Sequence, residues 1–176
     1  MHEQLTLIFR ALAFAARRHR DQRRKDVQST PYINHPIDLA ELLINEGQVT
    51  DVNVIAAAIL HDTVEDTETT IDELEGIFGN AIAGIVREVS DDKQLPKTER
   101  KRLQIEHAAG CSDSAKLVKL ADKICNLRDM LAMPPADWPR ERIHDYFDWA
   151  HAVIGQLRGV HPQLERLFDA VYARKP

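Results

Sequence analysis

The sequence predicts an all-α fold, built as a single compact domain, and three observations carry that reading. Apolar residues recur every three or four positions in segment after segment, the period of a helix with one buried face. Glycine is scarce, with seven in 176 residues, and β-branched runs are short, which argues against a parallel sheet or a sandwich. No repeat, low-complexity tract or linker divides the chain. Its length suits one domain that buries a core without disulfides or structural metals.

Leu5, Ile8, Leu12 and Ala15 mark a first amphipathic helix. Pro36 suits the first position of a second, which runs to about Asn45 and stops at Gly47. Asp51 is placed to cap a third helix carrying Val54, Ile55, Ala58 and Ile59. Thr70 and Glu73 form a capping-box pattern for a short helix ending at Gly79. Further helices are expected over 80–90, 97–109, 114–132, 139–158 and 162–173, with Pro134-Pro135 and 159–162 as breaks.

Composition narrows the functional classes. Hydrophobic residues at 44% and charged residues at 29% fit an ordinary soluble globular protein and exclude disorder. The longest apolar run, Val54 to Leu60, falls far short of the roughly 20 residues that span a bilayer. Met1-His2-Glu3-Gln4 lacks the basic and apolar regions of a secretory signal, and Cys111 and Cys125 show no CxxC spacing. The expectation is a cytoplasmic protein with two reduced thiols, no membrane association and no obligatory protein partner.

The net charge of −5 does not suit binding of nucleic acid through its backbone. Residues 17–26 nevertheless hold six Arg or Lys against two Asp. Such a segment can capture a small anion, or it can be a solvated helix end that complements the helix dipole. Composition leaves both open.

The most informative stretch is Leu60-His61-Asp62-Thr63-Val64-Glu65-Asp66-Thr67, directly after the small apolar run Ala56-Ala57-Ala58-Ile59. An imidazole and a carboxylate side by side can ligate one divalent cation if the helix ends or bends there, since helical neighbours diverge by about 100°. An acidic helix C-terminus entering a solvated loop is the simpler alternative, but carboxylates there oppose the dipole. His35 precedes Pro36, so an extended backbone at a rigid loop-to-helix junction is expected; the residue is there a cap or a ligand. Leu117, Leu120, Ile124, Leu127 and Leu131 define the core stripe of another helix, with Asp122, Asn126 and Asp129 on nearly the opposite face. That polar stripe is a solvent face unless it borders a cleft.

His35, His61-Asp62 and Asp122 match, in order and context, the H…HD…D signature of HD-domain phosphohydrolases. More narrowly, the chain resembles the hydrolase domain of RelA/SpoT-type stringent-response proteins and their stand-alone relatives, the small alarmone hydrolases that include the metazoan SpoT homologue. Arg23-Arg24-Lys25, Pro31 to Pro36, Ala57 to Thr67, Ser90 to Lys93, Lys119 to Asp129 and Tyr146 to Ala150 carry the likeness. It implies one HD-type domain over 1–176, without synthetase or regulatory domains, that removes the 3′-pyrophosphate of (p)ppGpp. It also implies Mn2+ held by His35, His61, Asp62 and Asp122, with Glu65 and Asp66 as the catalytic carboxylates. Arg24 and Lys25 resemble the nucleotide-gripping pair, and Asn126 would face the same pocket. Lys97 and Arg142 are candidates for the distal 5′ phosphates or are surface charges. Tyr146 lines the pocket or joins Phe147 in the core. His19, His107, His144, His151 and His161 show no ligand spacing and receive no role. The competing readings are a phosphatase on NADPH 2′-phosphate or (p)ppApp, and a non-catalytic alarmone sensor, which predicts lost ligands where this chain keeps all of them.

Overall fold

The computed structural model describes residues 1–176 and contains helices, turns and two isolated antiparallel bridges, Arg23–Pro31 and Asp26–Pro135, with no strand. The helices are α1 (His2–Arg18), α2 (Asn34–Glu41), α3 (Val52–Leu60), α4 (Thr63–Asp66), α5 (Ile71–Phe78), α6 (Asn80–Val89), α7 (Lys97–Ala108), α8 (Asp113–Ala132), α9 (Arg140–Gly155) and α10 (Pro162–Tyr172). No helix is long and apolar enough to cross a membrane.

α3 is the hub, packed against α1, α2, α6 and α8. Every residue from Val54 to Leu60 is buried, as expected of a helix that is apolar all round. Ala56, Ala57 and Ala58 are completely buried, and their short side chains let the neighbouring helices approach closely. α8 turns Leu120, Ile124 and Leu127 into the same continuous core, and α9 and α10 add Phe147, Ile154 and Phe168. The expected caps form. Asp51 accepts from the Asn53 amide at 2.9 Å and Thr70 from the Glu73 amide at 3.2 Å.

The second helix departs from expectation in two ways. It starts at Asn34, so Pro36 is its third residue and His35 is helical rather than extended. Amides in a first turn have no acceptor within the helix, so the proline removes no bond there, and the mild pre-proline bias is overridden. The Asn34 and His35 amides instead donate to Pro31 and Tyr32 at 3.2 and 3.0 Å, winding the chain into α2 from the preceding turn. After Glu41 the helix widens into a π turn, Leu42–Glu46, closed by the Gly47 amide on the Leu42 carbonyl at 2.8 Å. Consecutive Leu42 and Leu43 are both buried across that turn. The one-turn α4 carries no periodic signal in the sequence, being four residues long.

Candidate active site

Three elements bring the four expected ligands together. His35 comes from the first turn of α2, His61 and Asp62 from the turn that ends α3, and Asp122 from the middle of α8. One ligand atom from each of His35, His61 and Asp62 lies within 4.8 Å of the others. Asp122 Oδ1 completes the group, 3.2 Å from His35 Nε2 and 3.9 Å from His61 Nε2. The break at Leu60 is what lets adjacent His61 and Asp62 converge, with His61 Nε2 3.0 Å from Asp62 Oδ2. His35 and His61 are 2% and 5% exposed, so this is an interior cluster and not a chance surface grouping.

The donor chemistry fits a divalent cation. His61 Nδ1 donates to the Ala58 carbonyl at 2.8 Å, which turns Nε2 toward the cluster. His61 Nε2 and His35 Nδ1 are buried without a hydrogen-bond partner, atoms that a folded protein ordinarily satisfies. Burial opposes ionisation of both carboxylates, yet both are held well below the usual range. His61 does this for Asp62, and Lys123 followed by His35 for Asp122. Lys123 Nζ binds Asp122 Oδ2 at 2.7 Å and Asn126 Nδ2 binds Oδ1 at 2.6 Å, while the Tyr32 hydroxyl donates to Asp62 Oδ2.

Glu65 and Asp66 follow on α4, folded back beside the cluster by the Asp66 amide bonding the Asp62 carbonyl at 2.8 Å. Burial, reinforced by Asp62 and Asp91, pushes Glu65 up to about 7. Arg100 lies near it, with Nη1 3.8 Å from Glu65 Oε1. Asp66 accepts from Lys93 Nζ on one oxygen and from Gln22 Nε2 on the other, the latter at 2.8 Å.

A cleft of about 460 Å3 opens from this point, and His35, Asp66, Arg24, Lys25, Asn126 and Tyr146 all line it. The volume lies in the range of small-molecule sites, roughly 300–1,000 Å3. Arg24 donates to Asn126 Oδ1 at 3.1 Å and pairs with Asp129, with its guanidinium 5.6 Å from the centre of the Tyr32 ring. The polar stripe of α8 therefore faces a cleft and not bulk solvent. The basic segment divides between its two readings. Arg17, Arg18 and Arg20 are exposed away from the cleft, whereas Arg23, Arg24 and Lys25 line it, with Arg24 half-buried and the other two exposed. Tyr146 lines the cleft against Trp138 while its neighbour Phe147 is fully buried in the core. Lys97 and Arg142 do not line the cleft themselves; they flank its Trp138, at 5.6 and 4.1 Å from the ring centre.

Several site residues gave no signal in the sequence. Tyr32, Lys123, Arg100 and Trp138 became recognisable only from their contacts. His19, given no role from its spacing, is 1% exposed and lies beneath Tyr32, with its Nδ1 2.6 Å from Gln22 Oε1. A His and a Gln three apart at a helix end are too common for sequence alone to single out.

Comparison with known proteins agrees with this geometry. A family model described as "HD domain" matches residues 11–145. A zebrafish (Danio rerio) protein named guanosine-3′,5′-bis(diphosphate) 3′-pyrophosphohydrolase MESH1 is 52% identical over 169 residues, covering 96% of this chain and 94% of its own. The human protein of the same name is 50% identical over 175 residues, covering 99% and 98%. The solved structure of a metazoan orthologue of SpoT, described as hydrolysing ppGpp and playing a role in starvation responses, superposes with a TM-score of 0.93 at 49% identity, covering 96% of this chain and 94% of that one. On the family match and on relatives of this identity along nearly their whole length, the chain belongs to the HD domain family, in the branch of the MESH1 proteins.

Proposed function

We propose that this protein hydrolyses the 3′-pyrophosphate of (p)ppGpp, giving GDP or GTP and pyrophosphate, with Mn2+ held by His35, His61, Asp62 and Asp122. The observation that carries the proposal is continuity. His35 of the buried imidazole and carboxylate cluster and Asp66, next to Glu65, line the same cleft as Arg24 and Lys25. Two imidazoles and two carboxylates leave open octahedral positions, which suits Mn2+. When bound, the cation supplies neutralisation and orientation of the 3′ phosphate group.

The chain's own side chains do the rest. Glu65 takes a proton from the attacking water, and its elevated pKa of about 7 matches it to that task near neutral pH. Asp66, fixed on both oxygens, orients that water from the cleft wall. The Arg24 guanidinium, with one side toward Tyr32, offers its other side to a purine. Lys25 and Asn126 grip phosphate and sugar, Tyr146 shapes the wall, and Lys97 and Arg142 beside Trp138 hold the distal 5′ phosphates. Residues 1–176 act as a single hydrolytic domain on a small nucleotide in the cytoplasm, without nucleic acid or an obligatory protein partner.

The test is incubation of chelator-stripped protein with ppGpp, ppApp and NADPH, each with and without Mn2+, followed by product identification. Mn2+-dependent release of GDP and pyrophosphate is the expected outcome. Orthophosphate from NADPH with ppGpp untouched would transfer the same chemistry to a 2′-phosphate substrate. Turnover confined to ppApp would change the base. Tight binding without turnover of any nucleotide would identify a sensor.

A further inference from the structure

Asp66 is held by a side chain that the chemistry above does not use. Gln22 follows the C-terminal end of α1, 44 positions earlier in the chain, and its Nε2 donates to Asp66 Oδ2 at 2.8 Å. An amide that donates in that direction must present its carbonyl oxygen the other way. There it meets His19 Nδ1 at 2.6 Å, so the proton on that contact belongs to Nδ1.

His19 is 1% exposed and its ring lies 4.9 Å from that of Tyr32, so the imidazole has no freedom to turn away. Its Nε2 is buried without any partner, which leaves Gln22 as the sole hydrogen-bond contact of the ring. The backbone of Gln22 is pinned as well. Its amide donates to the His19 carbonyl at 3.0 Å and its carbonyl accepts from the Tyr32 amide at 3.1 Å. A long, flexible side chain is thus fixed at both ends and aimed at a carboxylate.

We infer that Gln22, locked by His19, is the positioning residue that sets the rotamer of Asp66. The inference rests on the proposed role of Asp66 in the hydrolytic site. Its physical basis is the terminal torsion of an aspartate, which is broad and nearly two-fold and does not define an oxygen position by itself. A charge-assisted bond to one oxygen removes that freedom. Lys93, the partner of the other oxygen, stands on a loop with its side chain 46% exposed, whereas Gln22 approaches from the half-buried side and carries the orientation. Chain geometry favours the relay over simple packing, because both bonds of the amide are needed to define which way it faces.

The experiment compares Gln22→Ala, His19→Asn and His19→Gln with the wild type in Mn2+-dependent turnover of ppGpp, with KM and Mn2+ affinity measured alongside. An Asn amide nitrogen falls where Nδ1 of the histidine was, whereas a Gln amide nitrogen falls nearer Nε2. Gln22→Ala should lower kcat by about 10- to 100-fold, as for a misplaced catalytic group, with KM and Mn2+ affinity within a few-fold of wild type. His19→Asn should retain most of the rate and His19→Gln should behave like Gln22→Ala. Equal losses in both His19 variants, or a Gln22→Ala defect confined to KM or metal affinity, would overturn the inference. A second readout is independent of substrate. 15N NMR of the Mn2+-free protein should find His19 as the Nδ1–H tautomer in wild type and not in Gln22→Ala. The opposite tautomer in wild type sinks the relay even if ppGpp is turned over. The expected tautomer in a protein that does not hydrolyse ppGpp would keep the relay and reject the substrate.

Discussion

Glu65 and its neighbours set the chemistry of individual side chains. Burial, Asp62 and Asp91 together place its pKa at about 7, so the acid form accumulates as pH falls below neutrality and cannot accept a proton from water. Turnover should therefore decline on the acid side of a pH–rate profile, with its midpoint near the Glu65 value. Asp91→Asn removes one repulsive charge and should move that limb to lower pH; an unmoved limb would assign the ionisation elsewhere. Glu65→Gln keeps the shape of the side chain and should retain Mn2+ binding and fold while losing at least about 100-fold in kcat, the range for removal of a general base. Unchanged turnover would remove Glu65 from the mechanism. His61→Ala and Asp122→Ala should differ in kind, losing metal and activity together, as titration with Mn2+ would reveal.

The helices are shaped by a few local decisions, and the loss of one can be measured. α3 works as a hub because its three consecutive alanines admit neighbours on every side, and because it stops at Leu60 the proposed ligands His61 and Asp62 can converge. The π turn after α2 ends on Gly47, where a Cβ would meet the Leu43 carbonyl oxygen at 2.8 Å and Leu164 Cδ2 at 3.0 Å. Gly47→Ala should cost about 1–3 kcal/mol in urea unfolding, the usual range for overpacking. Thr70→Ala, which removes only the cap of α5, should cost about 1 kcal/mol and leave activity intact. A larger effect from the cap than from Gly47 would contradict the close approach of α10 to that turn.

The molecule as a whole carries one continuous core of 38 buried apolar residues drawn from both ends of the chain, and α2, α3 and α8, which carry or lead into the proposed metal ligands, all contribute to it. Chelation should accordingly abolish activity while helical circular dichroism persists, because burial of this extent stands without the ion. A collapse of the helical signal in EDTA would make the cation structural. Helix periods, the caps at Asp51 and Thr70, and the HD strings were legible directly in the sequence, since each depends on residues within a few positions of one another. The same locality fixed the order of the ligands but not their convergence. Whether the Asp122, Asn126 and Asp129 stripe faced water or a cleft depended on what packs opposite α8, and only the tertiary structure placed Arg24 and Tyr146 there. Pro36 predicts an extended His35, yet the turn at Pro31 and Tyr32 overrides that preference. Gln22 was invisible for a related reason: a supporting residue is defined by what it touches, and its contact with Asp66 joins positions 44 residues apart. Local chemistry therefore determined the helices and the identity of the reactive groups. Three-dimensional packing decided which polar faces became a site.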